Sequence, residues 1–347
     1  MKILAFSCII LTIVFLSSCS KVKINTSEIT TYSQTTSSDI QMNLPQKITR
    51  LNFVCAYKKY LYISYQNQIL KFSQDLSSKE VVYTNNDFNN YFISDFMIID
   101  ESTLYIRLTD NGEPRPIVKF ITIDLKSMKS TPLFKENKEY SYGVPVLMND
   151  NIYYSRYEKE DFQEKHPSII KRDFFGNETV ILKDIYYYNF YNSKIYYMTE
   201  YSSNTIYSSN LDGGDVKSEL SIENDLIAFE IYNDRIYYDI WDGGNDSINV
   251  YELFTKKTVI LCSTFYRSTL FFNDKFAFAL ETKTGNLLKI NTNSYSTTSV
   301  KQNIDLQNYS IIDDWIYAQN INADTEKTHE VNLYRMKLDG TSLEKIN

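Results

Sequence analysis

A motif that recurs about every 40 residues constrains the fold of this chain more than any other feature of its sequence. The motif is a polar turn followed by a β-forming segment with an Ile-Tyr-Tyr core or a close variant of it. It occurs seven times, at intervals of 40 to 48 residues, beginning at Leu61, Leu104, Ile152, Ile195, Ile236, Phe276 and Ile316. Self-similarity at this period indicates a repeat architecture rather than two independent domains.

Each repeat carries the parts of a four-stranded antiparallel unit. An apolar strand comes before the polar turn, and an alternating strand and a short fourth strand come after the Tyr-rich one. Asn and Asp in the turns tolerate positive φ, which tight hairpins require. Four strands in about 40 residues, repeated seven times, predict an all-β protein, a seven-bladed β-propeller of four-stranded blades over residues 46–347. A parallel solenoid is the alternative, although it favours shorter repeats without hairpin turns.

Composition agrees with this prediction and narrows the classes of function. The chain has 30 Tyr and 20 Phe but only 9 Gly, and flat rings pack well on a pleated surface. A net charge of −7 argues against a nucleic-acid partner, which favours a basic face. With only 2 His and no Gly-rich phosphate loop, we expect no metal centre, no cofactor and no His-based catalysis.

The first residues predict export. Residues 1–18 combine Lys2 with an apolar run and two serines, the pattern of a secretory signal peptide. The sequence Leu16-Ser17-Ser18-Cys19 resembles the lipobox of bacterial lipoproteins, which implies that Cys19 is lipidated and becomes the first mature residue. The alternatives are an ordinary signal peptide with a chance cysteine, or an uncleaved anchor. Residues 19–45 are rich in Ser and Thr and predict a flexible tether.

Two cysteines remain in the repeat region. Cys55 and Cys262 both lie in apolar runs of distant repeats. An exported protein permits a disulfide, but their positions favour two buried thiols.

The repeats also resemble a known family. Ile195-Tyr196-Tyr197 followed by Tyr207 and the Leu211-Asp212-Gly213 exit turn is similar to a bacterial propeller family of unknown function, common in clostridial-type lipoproteins. Its repeat logic is similar to that of YWTD and TolB-like propellers. The resemblance covers residues 50–347 and is weakest in the first and sixth repeats, where Leu-Asp-Gly is absent. It implies the fold and no chemistry.

Candidate binding residues come from the loops of variable length, which a propeller places on one face. Variable loops on a rigid scaffold are common binding sites. The longest and most charged loop spans residues 156–167, and a second holds a Trp-Asp-Gly-Gly segment that resembles a sugar-stacking or calcium loop. The candidate ligand-face residues are Arg115, Tyr157, Phe162, His166, Trp241, Asp242 and His329. A solvated loop and a plain glycine turn are the simpler interpretations of these two loops.

These observations predict a monomeric, non-enzymatic binding module for a protein or a glycan. We expect the lipid on Cys19 to anchor the protein to the outer face of the cytoplasmic membrane. One alternative is an extracellular polysaccharide lyase or hydrolase, and another is a scaffold subunit of an envelope complex.

Overall fold

The computed structural model of the chain describes most of the repeat region. The described residues are 53–87, 90–98, 102–110, 118–134, 140–143, 145–149, 151–158, 166–173, 175–241, 247–263, 270–273, 275–280, 287–300, 308–321 and 331–346. Over these ranges the secondary structure is strand and turn, with no helix, so the predicted all-β class is confirmed. None of the described segments forms a helix long and apolar enough to cross a membrane.

Twenty-eight described strands form six antiparallel sheets, and four of the sheets have four strands each. The first sheet contains β1 (Val54–Tyr57), β2 (Tyr60–Tyr65), β3 (Gln68–Ser73) and β4 (Lys79–Thr84). The second contains β5 (Tyr91–Ile98), β6 (Thr103–Asp110), β7 (Val118–Asp124) and β8 (Lys129–Pro132). The last two contain β21 (Leu270–Phe272), β22 (Phe276–Leu280), β23 (Leu287–Asn291) and β24 (Thr297–Val300), and then β25 (Asn308–Ile312), β26 (Trp315–Ile321), β27 (Val331–Lys337) and β28 (Glu344–Lys345).

The two middle sheets are larger than the predicted four-stranded unit. One contains β9 (Tyr140–Tyr142), β10 (Val146–Met148), β11 (Asn151–Glu158), β12 (Ser168–Arg172) and β13 (Glu178–Leu182). The other contains β14 (Tyr187–Tyr191), β15 (Lys194–Met198), β16 (Ser203–Asn210), β17 (Lys217–Tyr232), β18 (Arg235–Trp241), β19 (Ser247–Glu252) and β20 (Thr258–Ser263). It has seven strands because the 16-residue β17 pairs with β16 through its first part and with β18 through its second.

The hairpins at one edge of the sheets are fixed by the predicted turn residues. Asn192 and Ser193 both have positive φ, as do Asn233 and Asp234, the combination that a two-residue type I′ turn needs. In the exit turn, Gly213 has a φ of +84° and the Asp212 carboxylate accepts the Gly214 N–H at 2.9 Å. This edge holds the turns that follow the first and third strands of each unit, and we call it the turn face. We call the opposite edge, where the second strand ends and the first begins, the loop face.

The core is a circuit of apolar clusters between successive sheets. One cluster joins the first two sheets, others join each sheet to the next, and Phe53, Val54 and Leu61 of the first sheet pack with Tyr317 and Leu333 of the last. The chain thus closes by side-chain packing between its first and last sheets. Burial of this kind supplies about 25 cal/mol per Å² of apolar surface, which makes the circuit the main stabilising element.

Candidate functional site

Aromatic side chains gather on the loop face where the β9–β13 sheet meets β14 and β15. The His166 ring contacts the Tyr186 ring edge-to-face, with 5.7 Å between centroids, and Tyr186 contacts Tyr201 in the same way at 5.5 Å. Tyr157 and Tyr188 complete the group, which we call the loop-face aromatic cluster. His166 is exposed and Tyr201 is 46% exposed, so the cluster presents ring surface to solvent.

Hydrogen bonds between neighbouring segments hold the cluster in place. The Ile185 N–H donates to the Pro167 carbonyl at 2.9 Å, which joins the residue after His166 to the residue before Tyr186. The Tyr186 N–H then donates to Met198 O at 2.8 Å. Tyr201 lies in the turn that follows Met198, between β15 and β16. Residues distant in sequence therefore meet because two strand ends and one turn share this edge.

Gly143 sets the geometry beneath the cluster. Its N–H donates to Ser155 O at 2.8 Å, and a Cβ on Gly143 would lie 2.0 Å from Ser155 Oγ. Any other residue would displace Ser155, to which the Tyr188 hydroxyl is hydrogen-bonded. The same glycine ends the short β9, which pairs with the Arg156–Glu158 end of β11. A side chain at position 143 would therefore have to displace the Ser155 hydroxyl.

Burial raises the pKa of two tyrosines of the cluster, Tyr157 and Tyr188. It raises the pKa of Tyr188 to about 12, because the hydroxyl lies deep beside Ser155 even though part of the ring is exposed. Burial also raises the pKa of Tyr157, with a smaller contribution from Tyr186. At neutral pH these hydroxyls remain protonated, so they can donate as well as accept hydrogen bonds.

An ion pair borders the cluster on its β9 side. Arg156 lies one residue before Tyr157, pairs with Glu178 at 2.9 Å and stacks over the Tyr140 ring at 4.6 Å. The guanidinium is therefore already engaged within the protein, and the cluster itself consists of rings and hydroxyls.

The structure brings together two of the seven predicted ligand-face residues. Tyr157 and His166 both belong to the cluster, although Tyr157 lies in strand β11 rather than in a loop. Trp241 belongs to a different strand unit, at the end of β18 opposite Asp225, and is 48% exposed. Arg115, Phe162, Asp242 and His329 lie outside the described residues, as does Cys19.

Sequence reasoning missed Tyr186, Tyr188 and Tyr201 because it interpreted the many tyrosines only as rings that pack on the pleated surface of strands. A signal was present: Ile185-Tyr186-Tyr187-Tyr188 places three aromatic residues at the beginning of a strand. Side chains at a strand end reach the edge of the sheet, where rings stay partly exposed.

A half-buried ion pair between β5 and β6 is a second polar feature. Asp95 in β5 contacts the Arg107 guanidinium in β6 at 2.6 Å, at a point where the pairing register shifts by one residue. Burial raises the pKa of the Asp95 carboxyl to about 6, and this effect outweighs the opposing attraction of Arg107. Ser94 and Thr109 hydrogen-bond to each other beside the pair. A carboxyl that titrates near neutrality is able to exchange a proton.

The cysteine sites are resolved by the structure. No disulfide joins Cys55 and Cys262, and both residues are half-buried rather than buried as predicted. Burial of its sulfur raises the pKa of the Cys55 thiol. In the part of the chain that the structure describes, no three His, Cys, Asp or Glu side chains are grouped closely enough to hold a metal ion.

Comparison with known proteins gives similarity in structure alone. No protein family and no curated protein matches the sequence. An oligogalacturonate lyase solved in complex with manganese has a TM-score of 0.60 at 12% identity, over 80% of this chain and 85% of that one. The oligogalacturonate lyase of Vibrio parahaemolyticus has a TM-score of 0.56 at 14% identity, over 82% of this chain and 89% of that one.

A third similar structure is one of two prolyl endopeptidases, with a TM-score of 0.59 at 10% identity. The match covers 86% of this chain but only 50% of the peptidase. Identities this low establish the architecture and not the activity. The chain therefore has a β-propeller-like all-β fold.

Proposed function

We propose that this protein is a lipid-anchored, non-enzymatic binding module of the bacterial cell envelope that holds a protein or a glycan on its loop face. The observation that carries the proposal is the loop-face aromatic cluster. Rings that are rigid, partly exposed and flanked by neutral hydroxyls offer both apolar contact and hydrogen bonds, and Tyr is enriched at binding hot spots for this reason.

The scaffold of this proposal is a seven-bladed propeller. Its support is the seven-fold motif, together with the division of β17 between two four-stranded units. Packing of the last sheet against the first supports a closed ring. In this arrangement β9 is an addition to the third blade rather than a separate one.

The cluster favours a ligand with flat apolar faces and polar edges. A sugar ring stacked on Tyr186 or Tyr201 would leave its hydroxyls within reach of neutral phenols, and a protein partner would place an aromatic or Arg side chain there instead. Each aromatic contact contributes on the order of 1 kcal/mol beyond burial of its area. Two such contacts correspond to roughly a 30-fold change in affinity.

The test replaces the exposed ring of Tyr201 and the half-buried ring of Tyr186. We expect Tyr186→Ala combined with Tyr201→Ala to weaken binding at least tenfold, both to a panel of envelope polysaccharides and to proteins cross-linked in a native envelope fraction. The matched control is Phe254→Ala, which removes an exposed ring from the turn face. Equal binding by the double variant and the parent protein would exclude the cluster as the binding site.

The anchor is tested separately. The lipobox predicts a mass increase on the mature Cys19 and membrane association that Cys19→Ala abolishes. An unmodified cysteine on a membrane-associated protein would contradict lipidation and leave the binding proposal in place.

A polysaccharide lyase or hydrolase is the second candidate. The observation that favours it is the Asp95–Arg107 pair, because a carboxyl with a pKa of about 6 can act as a general acid or base beside a cation that steadies an anionic sugar. Structural similarity to oligogalacturonate lyases makes oligogalacturonides the first substrates to assay. Cleavage that Asp95→Asn abolishes would replace the binding proposal with this one.

A third candidate is a scaffold subunit of an envelope complex. It differs from the binding module in its stoichiometric, permanent partners. Co-purification that survives the double tyrosine variant would favour it.

A further inference from the structure

The turn face carries an arc of exposed apolar side chains. Across the described residues, five large hydrophobic side chains are more than half exposed. Four of them occupy turns between the third and fourth strands of successive units: Met128 (51% exposed), Phe175 (89%), Val216 (55%) and Phe254 (83%). Such residues are costly to leave in water, so their concentration on one edge needs an explanation.

The equivalent turns elsewhere in the ring are different. Leu76, Tyr295 and Leu338 are partly buried and pack against the core clusters beside them. Leu343, near the last such turn, is 41% exposed. Leu125, Leu211 and Leu253, in three of the turns of the arc, pack against the core in the same way. The turns of the arc therefore differ in carrying an additional apolar side chain that is more than half exposed.

Each exposed tip has a cation within three residues of it. Lys126 and Lys129 flank Met128, and Lys217 follows Val216. Lys256 and Lys257 come after Phe254. Arg172 lies beside the turn that contains Phe175. Apolar groups among cations are the composition of a surface that lies at the headgroup level of an anionic bilayer.

The carboxylates of these turns are occupied by the turns themselves. Asp124 accepts the Lys126 and Ser127 N–H groups at 3.0 and 2.7 Å, and Asp173 accepts the Asn177 N–H at 2.8 Å. These hydrogen bonds lower the pKa of both Asp124 and Asp173, so the two carboxylates stay anionic at the bases of their turns. Three of the neighbouring cations are already engaged within the protein: Lys217 pairs with Asp215 at 2.9 Å, Lys256 lies 3.7 Å from Glu219, and Arg172 donates to Leu133 O at 2.7 Å. The contribution of these turns to a lipid contact is therefore mainly apolar.

We infer that this arc, Met128, Phe175, Val216 and Phe254 with their neighbouring cations, rests on the lipid bilayer and turns the loop face away from it. The inference rests on the proposed lipid on Cys19, which would hold the domain at a membrane surface. The occupant is lipid rather than protein because the anchor keeps a bilayer within reach at all times.

The length of chain before the first strand permits this orientation. Phe53 enters at the loop face, because β1 runs from there to its hairpin at the turn face. Cys19 lies 34 residues earlier, and a chain of that length spans up to roughly 110 Å when extended. A strand of eight residues is about 27 Å long, so the chain is long enough to pass the side of the domain and reach a membrane at the turn face.

The orientation deepens the proposed function. With the arc on the bilayer, the loop-face aromatic cluster points outward to the cell wall or the medium. With the loop face on the bilayer, the cluster would be blocked. The two orientations make opposite predictions for depth of burial in lipid.

The experiment measures that depth on the full lipidated chain in vesicles of phosphatidylcholine and phosphatidylglycerol that carry brominated acyl chains. Tryptophan reporters replace Phe175, Phe254 or, as the matched loop-face control, Tyr201, and the quenching of Trp241 and Trp315 in the parent protein is subtracted. We expect quenching of Phe175→Trp and Phe254→Trp to exceed that of Tyr201→Trp at least threefold. In a second measurement, replacing phosphatidylglycerol with phosphatidylcholine should reduce the quenching at both turn-face sites at least twofold.

Three results would overturn the inference. Quenching that is equal at all three sites, or absent from all of them, would mean that the domain has no lipid-facing edge. Stronger quenching of Tyr201→Trp would reverse the orientation. Failure of the parent protein to sediment with vesicles would overturn the anchor as well, and so is distinguishable from the first two.

Discussion

Two buried tyrosines allow the same chemical change to be made with opposite expected results. Tyr309 in β25 and Tyr105 in β6 are each 2% exposed. The Tyr309 hydroxyl donates to the Phe278 carbonyl in β22 at 3.1 Å, a bond between two sheets. The Tyr105 ring stacks on Phe120 at 5.8 Å, and no hydrogen-bond partner for its hydroxyl is present among the described residues.

The magnitudes follow from what each hydroxyl leaves behind. Tyr309→Phe removes a hydrogen bond and leaves a buried carbonyl without that donor, which costs about 1–2 kcal/mol. Tyr105→Phe removes a buried hydroxyl whose desolvation is uncompensated, so the free energy of unfolding should stay the same or rise by about 1 kcal/mol. The free energy of unfolding should therefore be about 2 kcal/mol lower for Tyr309→Phe than for Tyr105→Phe. Burial alone does not predict this difference, because the two side chains are equally buried.

Urea unfolding followed by tryptophan fluorescence and far-ultraviolet circular dichroism measures both variants at one pH. Tyr201→Phe, with its exposed ring, is the control and should change stability by less than about 0.5 kcal/mol. If Tyr105→Phe destabilises as much as Tyr309→Phe, the reasoning is refuted. A water that bridges Tyr105 to the buried Arg107 Nε would then be the first explanation to test.

Three further predictions concern single positions. The folded-state pKa of Asp95 is raised to about 6, so its contribution to stability is greatest below pH 4 and falls by up to roughly 3 kcal/mol as the pH rises to about 6.5. Asp95→Asn should therefore flatten the dependence of the unfolding free energy on pH across that window. An unchanged pH profile would contradict the assignment. Gly213→Ala should lower the free energy of unfolding by about 2 kcal/mol or more, because φ is +84° and the new Cβ would lie 2.5 Å from Ile181 O. Gly214→Ala is the control, since its Cβ would meet only the Asp212 carboxylate, at 3.2 Å. In the same unfolding experiment it should cost under about 1 kcal/mol. Gly143→Ala should displace Ser155 and alter the near-ultraviolet dichroism of the tyrosines while the far-ultraviolet spectrum stays unchanged, and identical near-ultraviolet spectra would show that the cluster does not depend on Gly143.

The parts of the fold that depend on local sequence were predictable. The Leu-Asp-Gly turn is an example, because each of its residues has a separate local role. Leu211 packs on the core, Asp212 accepts a turn N–H and Gly213 supplies positive φ. The Asn-Asp hairpins follow the same logic, since two consecutive positive φ values restrict the residues that fit.

The parts that depend on neighbouring sheets were not predictable. The polar stretch Glu223-Asn224-Asp225 has the composition of a turn, yet β17 continues through it because its two ends pair with different strands. The short β9 forms because Gly143 allows a close approach to Ser155, a contact 12 residues away. The aromatic cluster was missed for a different reason. A tyrosine at a strand end and one at a strand centre have the same alternation pattern, and only the position of the Tyr186-Tyr187-Tyr188 run at the beginning of a strand distinguishes them.

Site-specific photo-cross-linking tests the central claim, binding through the loop face, most directly. A photoreactive amino acid replaces Tyr201 in one variant and Phe254 in the other, each in the full lipidated chain on intact cells. The proposal predicts a discrete protein or glycan adduct from position 201 and lipid adducts from position 254. A protein or glycan adduct that forms at position 254 and not at position 201 would contradict it.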